Sequence, residues 1–509
     1  MTRRALPYLL IALLTAAAWA NAIGNAPVWD DRIHILDNPA VRESRWGEIL
    51  ARPTGDYYRP AVFASFAIGG GGDPARFPAQ VAGNIVLHTA AAWLLLAAVS
   101  MLGAPRGAAL AAALVFALHP VQTEAVTYVS GRTDLLAAMF SLAALLLQAR
   151  ARGWAGGRPR SGLALGAAAC YALALGSKES SALLPLALLA GDRIFARRPG
   201  GARALLPHAL ILAGYAAWRA HLGAGTVALG DPAALGPRLL AALAAVGEYA
   251  RLALFPVNLH LERFVGVSAP AALGGAATLA AAVVALARGS DTTRFWILWA
   301  SIAYLPTSNL IAVYPGLPSG TIFAPEHFLY LPLSGIAACL VPALARRSPD
   351  RVGVFLLAGA LACFVLLARD RNRDWRDEET LYRHTLRFSP GSARVRLNLG
   401  NVLLAWDDVE GAAAQYAEGA RRHPENVDLL INLGIAEMRW GHVADAEKAL
   451  LRATRAAPRD AQAWATLGAL HGNVGRREEA RRAFERALAI DPENADARQG
   501  MAILNEVQR

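Results

Sequence analysis

A 34-residue period runs through the last part of this chain. Pro390, Pro424, Pro458 and Pro492 are each 34 apart, and so are the pairs Leu399-Gly400, Leu433-Gly434 and Leu467-Gly468. A repeat of that length is one helix–turn–helix unit that cannot bury its apolar face alone and stacks on its neighbours to do so. Before a junction near residue 370 the pattern is different, with long apolar stretches following one another. The expected fold is therefore all-α: a polytopic transmembrane helix bundle over 1–370, then a soluble helical solenoid over 371–509. Few functions need both parts.

Composition agrees with that division. The 509 residues are 55% hydrophobic with a mean hydropathy of +0.32, high for a chain that also carries a polar repeat array. The net charge of +11 raises nucleic acid as a partner. Much of the excess arginine, however, lies in short loops between apolar runs, where it orients helices and attracts anionic lipid. Membrane lipids are expected partners and nucleic acid is not. Cys170, Cys339 and Cys363 sit inside apolar stretches and read as small core residues, neither a disulfide framework nor a metal set.

Apolar runs fall near 5–23, 81–102, 107–125, 133–149, 161–177, 180–192, 204–222, 238–256, 270–288, 294–312, 327–345 and 352–369. Arg3 and Arg4 place the N-terminus in the cytoplasm. The loops with Arg150, Arg152, Arg158 and Arg160, with Arg193, Arg197, Arg198 and Arg203, and with Arg346, Arg347 and Arg351 should be cytoplasmic too. Twelve crossings would break that rule. If 238–256, which carries Arg238, Glu248 and Arg251, lies along the outer interface, eleven spans remain and the repeats are extracytoplasmic. The cluster Arg369, Arg371, Arg373 and Arg376 after the last span opposes this sidedness.

The loop 24–80 after the first helix contains WDDRIHILDNP at 29–39 and DYYRP at 56–60. Asp30 and Asp31 stand shortly after a membrane exit. Such a pair can take a proton from an acceptor hydroxyl or bind a divalent cation together with other oxygens; the bland reading is a solvated or helix-capping pair. HPVQTEAVTYVSGRTD, from His119 to Asp134, holds Glu124, Arg132 and Asp134 at a helix turn. Ser177-Lys178-Glu179 and Glu326-His327 are two further polar turns. Charge this close to membrane depth is costly, so it tends to be paired or functional. In the eleven-span arrangement all of these share the extracytoplasmic face.

The repeats read position by position. Small residues recur at Ala412, Ala446 and Ala480 and at Gly419, Ala453 and Ala487; large ones recur at Tyr416, Leu450 and Phe484. Trp464 fills a position held by Leu430 and Arg396 in the earlier repeats. This is the tetratricopeptide pattern, with a partial repeat at 376–392, full repeats at 393–426, 427–460 and 461–494, and a capping helix at 495–509. Such arrays offer a concave surface to a peptide. Asn398 and Asn432 are placed to hydrogen-bond an acceptor backbone, and Thr466 breaks that pattern.

WDDRIHILDNP, YYRPAVFASF, HPVQTEAVTYVSGRTDLLAA, LGSKES and EHFLYLP, followed by tetratricopeptide repeats, closely resemble the transmembrane-and-tetratricopeptide-repeat proteins, which are similar to C-type glycosyltransferases related to the protein O-mannosyltransferases. The resemblance covers nearly the whole chain. It implies transfer of mannose from a polyprenyl-phosphate carrier to Ser or Thr hydroxyls of a protein, with the repeats on the catalytic side. It also implies that Asp30 and Asp31 are the paired acids of the first extracytoplasmic loop. His327 is a departure, since an arginine would be expected after Glu326.

The expected chemistry follows from the donor. A lipid-borne phosphosugar keeps its tail in the bilayer, so the catalytic loops must meet it at the interface. Asp30 or Asp31 would accept the hydroxyl proton, and a cation would stabilise the departing phosphate. Arg59, Arg132 and Lys178 are the candidate cations, with Arg132 favoured; Glu124 would orient the arginine or hold the acceptor. Asp134, Glu179, Glu326 and His327 complete the expected substrate-binding set. Two rivals remain: a non-enzymatic membrane-anchored repeat scaffold, and a ligase or polymerase of surface polysaccharide. No Walker loop, spaced zinc set or haem motif is present, and no clear inverted repeat suggests a transporter. The Ala- and Arg-rich composition suggests a bacterial inner membrane with the active face in the periplasm.

Overall fold

The structure is a computed structural model that describes residues 5–55, 57–196, 202–223, 235–310, 321–347 and 351–506. Arg3, Arg4, Arg197 and Arg198, used above to orient the chain, and Asp56 of the DYYRP motif lie outside the described residues. The chain divides into two compact units, Met1–Asp377 and Glu378–Arg509.

The first unit is a helix bundle. Its longer helices are α1 (Leu6–Trp19), α2 (Phe77–Met101), α3 (Arg106–Leu118), α4 (Arg132–Arg152), α5 (Leu163–Leu175), α6 (Leu184–Phe195), α7 (Leu206–His221), α8 (Leu235–Leu254), α9 (Ala269–Arg288), α10 (Asp291–Tyr304), α11 (Tyr330–Arg347) and α12 (Arg351–Asp374). Among the described residues, five segments are long and apolar enough to cross a bilayer: Pro74–Met101, Val129–Arg152, Ala269–Arg288, Glu326–Arg346 and Arg351–Asp374. Arg106–Leu118 with Pro120–Thr127, bent by 49°, would make a sixth. The expected eleven crossings exceed this number. The runs near 161–177, 180–192 and 294–312 yield helices of only 13, 12 and 14 residues, short of the roughly 20 that span hydrocarbon. Polar breaks such as Gly176–Lys178 and the proline at the start of α6 end them early. The 238–256 run forms α8, which is not among these long apolar segments.

Helix contacts explain several glycines. A Cβ on Gly275 of α9 would lie 1.9 Å from the carbonyl oxygen of Leu243, and one on Gly247 would lie 2.1 Å from that of Ala271. α8 and α9 thus approach backbone to backbone. Trp19 donates its indole N–H to Ala117 O at 3.0 Å. His88 sits between that same carbonyl, 2.9 Å away, and the Tyr330 hydroxyl, 2.7 Å away. The Trp19 indole and both His88 ring nitrogens thus have partners, as burial in an apolar interior favours.

The C-terminal end of α12 returns to the end of α1. Asn372 donates to Ala18 O (3.0 Å) and Asn21 Oδ1 (2.7 Å), and accepts from the Thr127 hydroxyl (2.7 Å). Asn25 donates to Asn372 O at 2.9 Å, and the Ala26 N–H to Arg376 O at 2.8 Å. These bonds carry the first unit beyond the expected boundary at 370. The arginine cluster that opposes the expected sidedness belongs to the same junction. Arg369 donates to Ala17 O at 2.7 Å, Arg371 is buried against Asp374 at 3.0 Å, and Arg373 and Arg376 pair with Asp370 and Asp377.

The second unit begins with α13 (Glu378–Phe388). The pairs α14 (Ala393–Ala405) with α15 (Val409–Arg422), α16 (Val427–Trp440) with α17 (Val443–Ala456), and α18 (Ala461–Asn473) with α19 (Arg477–Ile490) follow, and α20 (Ala495–Glu506) closes the array. The recurring glycines are crossing points. A Cβ on Gly400, Gly434 or Gly468 would fall 2.3 to 2.7 Å from Tyr416, Leu450 or Phe484, the large residue of the same repeat. Side-chain N-caps from Ser392, Asp408, Asn426 and Asp460 start four of these helices.

Candidate active site

The acid pair sits on a strained entry. Trp29 has φ of +55°, a left-handed conformation that costs a bulky residue energy and persists where the surroundings enforce it. The chain then winds tightly, with a π-helical turn over Arg32–Leu36 closed by Asp37 N–H to Arg32 O at 2.7 Å. Such turns are rare and concentrate at functional sites.

The two acids have different environments. Asp31 is 1% exposed. Its Oδ1 accepts both the backbone N–H and the hydroxyl of Ser130, each at 2.8 Å, and Oδ2 accepts the Val28 N–H at 3.4 Å. Burial pushes its pKa up to about 7, against the three donors that favour the anion. Asp30 is half-buried. Its N–H donates to the Tyr128 hydroxyl at 3.2 Å, while among the described residues its carboxylate has no hydrogen bond or ion pair. Tyr128 is kept protonated by burial first and then by both aspartates. Asp31 anchors the loop and Asp30 presents the available carboxylate.

The cations form a second group beside them. The Ala61 N–H donates to Gly176 O at 3.1 Å, which brings Arg59 to the 177–179 turn. Arg59 grips Glu179 through Nη2 at 2.9 Å and Nε at 3.1 Å, and Arg219 meets the other Glu179 oxygen at 2.8 Å. Burial raises the Glu179 pKa, but the two guanidiniums outweigh it and hold the group below its usual range. The Arg59 guanidinium also stacks 4.1 Å above the Tyr57 ring. Lys178 binds Asp134 at 2.6 Å and lies 5.6 Å over the Phe328 ring. His34 joins acids to cations: it senses the Asp30 charge and the Arg59 charge together, and burial holds its pKa low. Arg59 in turn senses Asp134.

Arg132, the favoured phosphate ligand from sequence, is placed otherwise. It is 4% exposed. Nε donates to Asn84 Oδ1 at 2.8 Å, Nη2 to Gln80 O at 2.7 Å and Nη1 to Ser65 O at 3.3 Å, and the Phe66 ring lies 5.0 Å from its charge centre. All three nitrogens bind the protein, so the residue braces the start of α4. Gly131 permits this turn, since a Cβ there would strike Ala125 O at 2.6 Å and Glu124 O at 2.7 Å.

Glu124 and His327 pair directly. The Glu124 carboxylate accepts the His327 backbone N–H at 3.0 Å and meets its Nδ1 at 2.7 Å. Glu326 points the other way and is fully buried. It accepts the His260 N–H, with Arg263 at 3.4 Å and Arg371 at 3.6 Å. A two-stranded antiparallel ribbon, β1 (Phe264–Gly266) with β2 (Thr321–Phe323), pins Arg263 there. Glu326 therefore joins the structural core of this region, while His327 stays partly exposed.

Sequence reasoning missed His34, Tyr128, Ser130, Arg219 and Arg263, and read Arg371 only as part of a basic cluster. The first three lie inside motifs singled out for other residues. The pairings of Arg219 with Glu179 and of Arg263 and Arg371 with Glu326 carried no local signal, because those partners are 40 to 63 residues apart. A divalent cation does not fit the pair as built. Asp31 turns both oxygens to N–H and O–H donors, the reverse of what a cation needs.

In the repeats, Asn398 is half-buried on α14, and Asn432 spends its amide on Asp428 O of its own helix at 2.8 Å. Thr466 makes the same backward bond to Gln462 O at 2.8 Å.

The chain is similar in sequence to known proteins. The tetratricopeptide repeat family matches residues 461–494. The chain is 26% identical to the mouse (Mus musculus) protein O-mannosyl-transferase TMTC4 over 489 residues, covering 78% of this chain and 63% of that one. It is 37% identical to the fly (Drosophila melanogaster) protein O-mannosyl-transferase Tmtc2 over 195 residues, covering 34% and 20%. It thus spans less than two thirds of the length of either relative. Among solved structures, the first TPR of Spaghetti (RPAP3) bound to an HSP90 peptide aligns at 25% identity and a TM-score of 0.22, covering 23% of this chain and 92% of that one.

Proposed function

We propose that this homologue of the TMTC protein O-mannosyltransferases is an integral-membrane glycosyltransferase. It moves a sugar, mannose by analogy with those relatives, from a polyprenyl-phosphate donor to a Ser or Thr hydroxyl of a polypeptide. The observation that carries this reading is the Asp30 carboxylate, without a hydrogen bond or ion pair among the described residues, on a loop locked by Asp31, with His34 of the same loop edge-on to the Tyr57 ring at 6.4 Å and the Arg59 guanidinium 4.1 Å over that ring.

The acceptor hydroxyl gives its proton to Asp30 as its oxygen bonds to the sugar's anomeric carbon. The bond from that carbon to the phosphate oxygen breaks, and the lipid phosphate leaves as an anion. Arg59 and Lys178 stabilise it; each is already held by a carboxylate, so little reorganisation is needed at the moment of transfer. Asp31 positions Asp30 through Ser130, and Glu124 with His327 frames the neighbouring turn.

The sidedness proposed is periplasmic, in a bacterial inner membrane. Its support is that residues 369–376, where the membrane unit ends, are bonded to residues 17–26 just before the acids. The repeats would present the acceptor on that side. Purified protein in lipid, given polyprenyl-phosphate mannose and a Ser/Thr-rich peptide, should yield a mannosylated peptide by mass spectrometry. Modified polysaccharide with no glycopeptide would overturn the choice of acceptor.

A further inference from the structure

We propose that the concavity between α13, α14 and α15 is a binding site for an acidic polypeptide segment, seated on Arg387 and Arg396. The concavity measures about 360 Å³ and is lined by Arg383, Leu386, Arg387, Arg396, Leu399 and Gln415. Three guanidiniums line it and no carboxylate does.

The three arginines are differently occupied. Arg383 is held by Glu379 at 2.6 Å. Arg396 is fixed by Pro390 O at 3.0 and 2.9 Å and by Gln415 Oε1 at 3.0 Å. The nearest carboxylate to Arg396, Glu418, is 4.0 Å away and is already taken by Arg421 and Arg422 at 2.6 Å each. Arg387 is exposed and has no hydrogen bond or ion pair among the described residues. One cation is rigid and poorly neutralised, the other free to close on a ligand. Planar guanidiniums in that arrangement suit carboxylates.

The repeat register shows that this charge is a local departure. Arg396 occupies the position of Leu430 and Trp464 in the next two repeats. Leu430 is fully buried, and Trp464 donates to Pro458 O at 3.1 Å as Arg396 does to Pro390 O. The backbone anchor is kept while the apolar filler becomes a cation, and the hole stays open. Its volume far exceeds that of one small anion, for which a few tens of Å³ suffice. Leu386 and Leu399 add an apolar floor for side-chain methylenes, and no aromatic lines the site to stack a nucleobase. A peptide carrying Asp or Glu fits these features.

The site lies within the second unit, and binding is read without sugar transfer, so the result is independent of the transferase reading. The test uses the full chain in nanodiscs of zwitterionic lipid and a fluorescent peptide with a run of glutamates. The same peptide with glutamines, inorganic phosphate and a single-stranded oligonucleotide are the comparators. The glutamate peptide should bind about tenfold or more tightly than the glutamine peptide, with affinity falling as salt rises. Arg387→Glu should weaken it about tenfold or more, whereas Arg482→Glu on α19 should not. Wild-type affinity in Arg387→Glu overturns the proposal. So does full displacement by millimolar phosphate, which would mark a simple anion site, or tighter binding of the oligonucleotide with the same sensitivity to Arg387→Glu.

Discussion

Ser130 gives both its backbone N–H and its hydroxyl to one oxygen of Asp31, each at 2.8 Å, across 99 residues of sequence. This contact joins the first loop to the turn before α4 and sets the conformation from which Asp30 projects. Because Asp31 is buried, its carboxyl titrates at about 7. Its folded pKa is raised, so its ionisation works against the fold: the stability it contributes is complete below about 4 and is lost as pH rises through 7. The positioning contacts need the anion, so transfer should rise with pH through a limb near 7. Ser130→Ala removes a donor that lowers this pKa and should move the limb upward. A pH–rate profile of both proteins tests this, and an unmoved limb would separate Asp31 from catalysis.

Arg59 should act on donor binding more than on protein stability. It is 18% exposed and paired with Glu179, which keeps Arg219 when Arg59 is removed. Arg59→Gln should raise the KM for polyprenyl-phosphate sugar by about tenfold to a hundredfold, in line with loss of a charge-assisted phosphate contact, and leave the melting temperature nearly unchanged. Steady-state kinetics with varied donor reads the difference.

Arg132 should behave in the opposite way. Its guanidinium is spent on Asn84, Gln80 and Ser65, so Arg132→Met strands buried acceptors. We expect a loss of about 2–4 kcal/mol in stability, visible as a lower melting temperature. Residual activity per folded molecule should exceed that of Arg59→Gln.

Gly434 tests the repeat packing. A Cβ there would lie 2.5 Å from Leu450 Cγ, so Gly434→Ala must push the two helices of its repeat apart, at a cost of about 1–3 kcal/mol. Leu450→Ala in the same chain should recover part of that loss, which thermal melting of the single and double variants would show.

What could be read in the sequence depended on distance along the chain. The repeats were legible because their period is local and each crossing point, such as Gly434 against Leu450, recurs at fixed spacing. The acids and polar turns were legible as charge among apolar runs. Their partners were not: Ser130 reaches Asp31 and Arg219 reaches Glu179 only through tertiary packing. The same holds for Arg132: a buried brace and a phosphate ligand look alike in sequence, and its acceptors Asn84, Gln80 and Ser65 lie 48 to 67 residues away. Helix lengths were not legible either, because an apolar run does not reveal where a polar break will end its helix, as at Gly176–Lys178.

The most direct test of the transfer site is Asp30→Asn, since Asp30 has no structural partner to lose among the described residues. The purified variant should insert and melt like the wild type, yet transfer mannose from polyprenyl-phosphate mannose to peptide at least about a hundredfold more slowly, the range general-base loss produces. A wild-type transfer rate in that variant would contradict the assignment of Asp30 as the base.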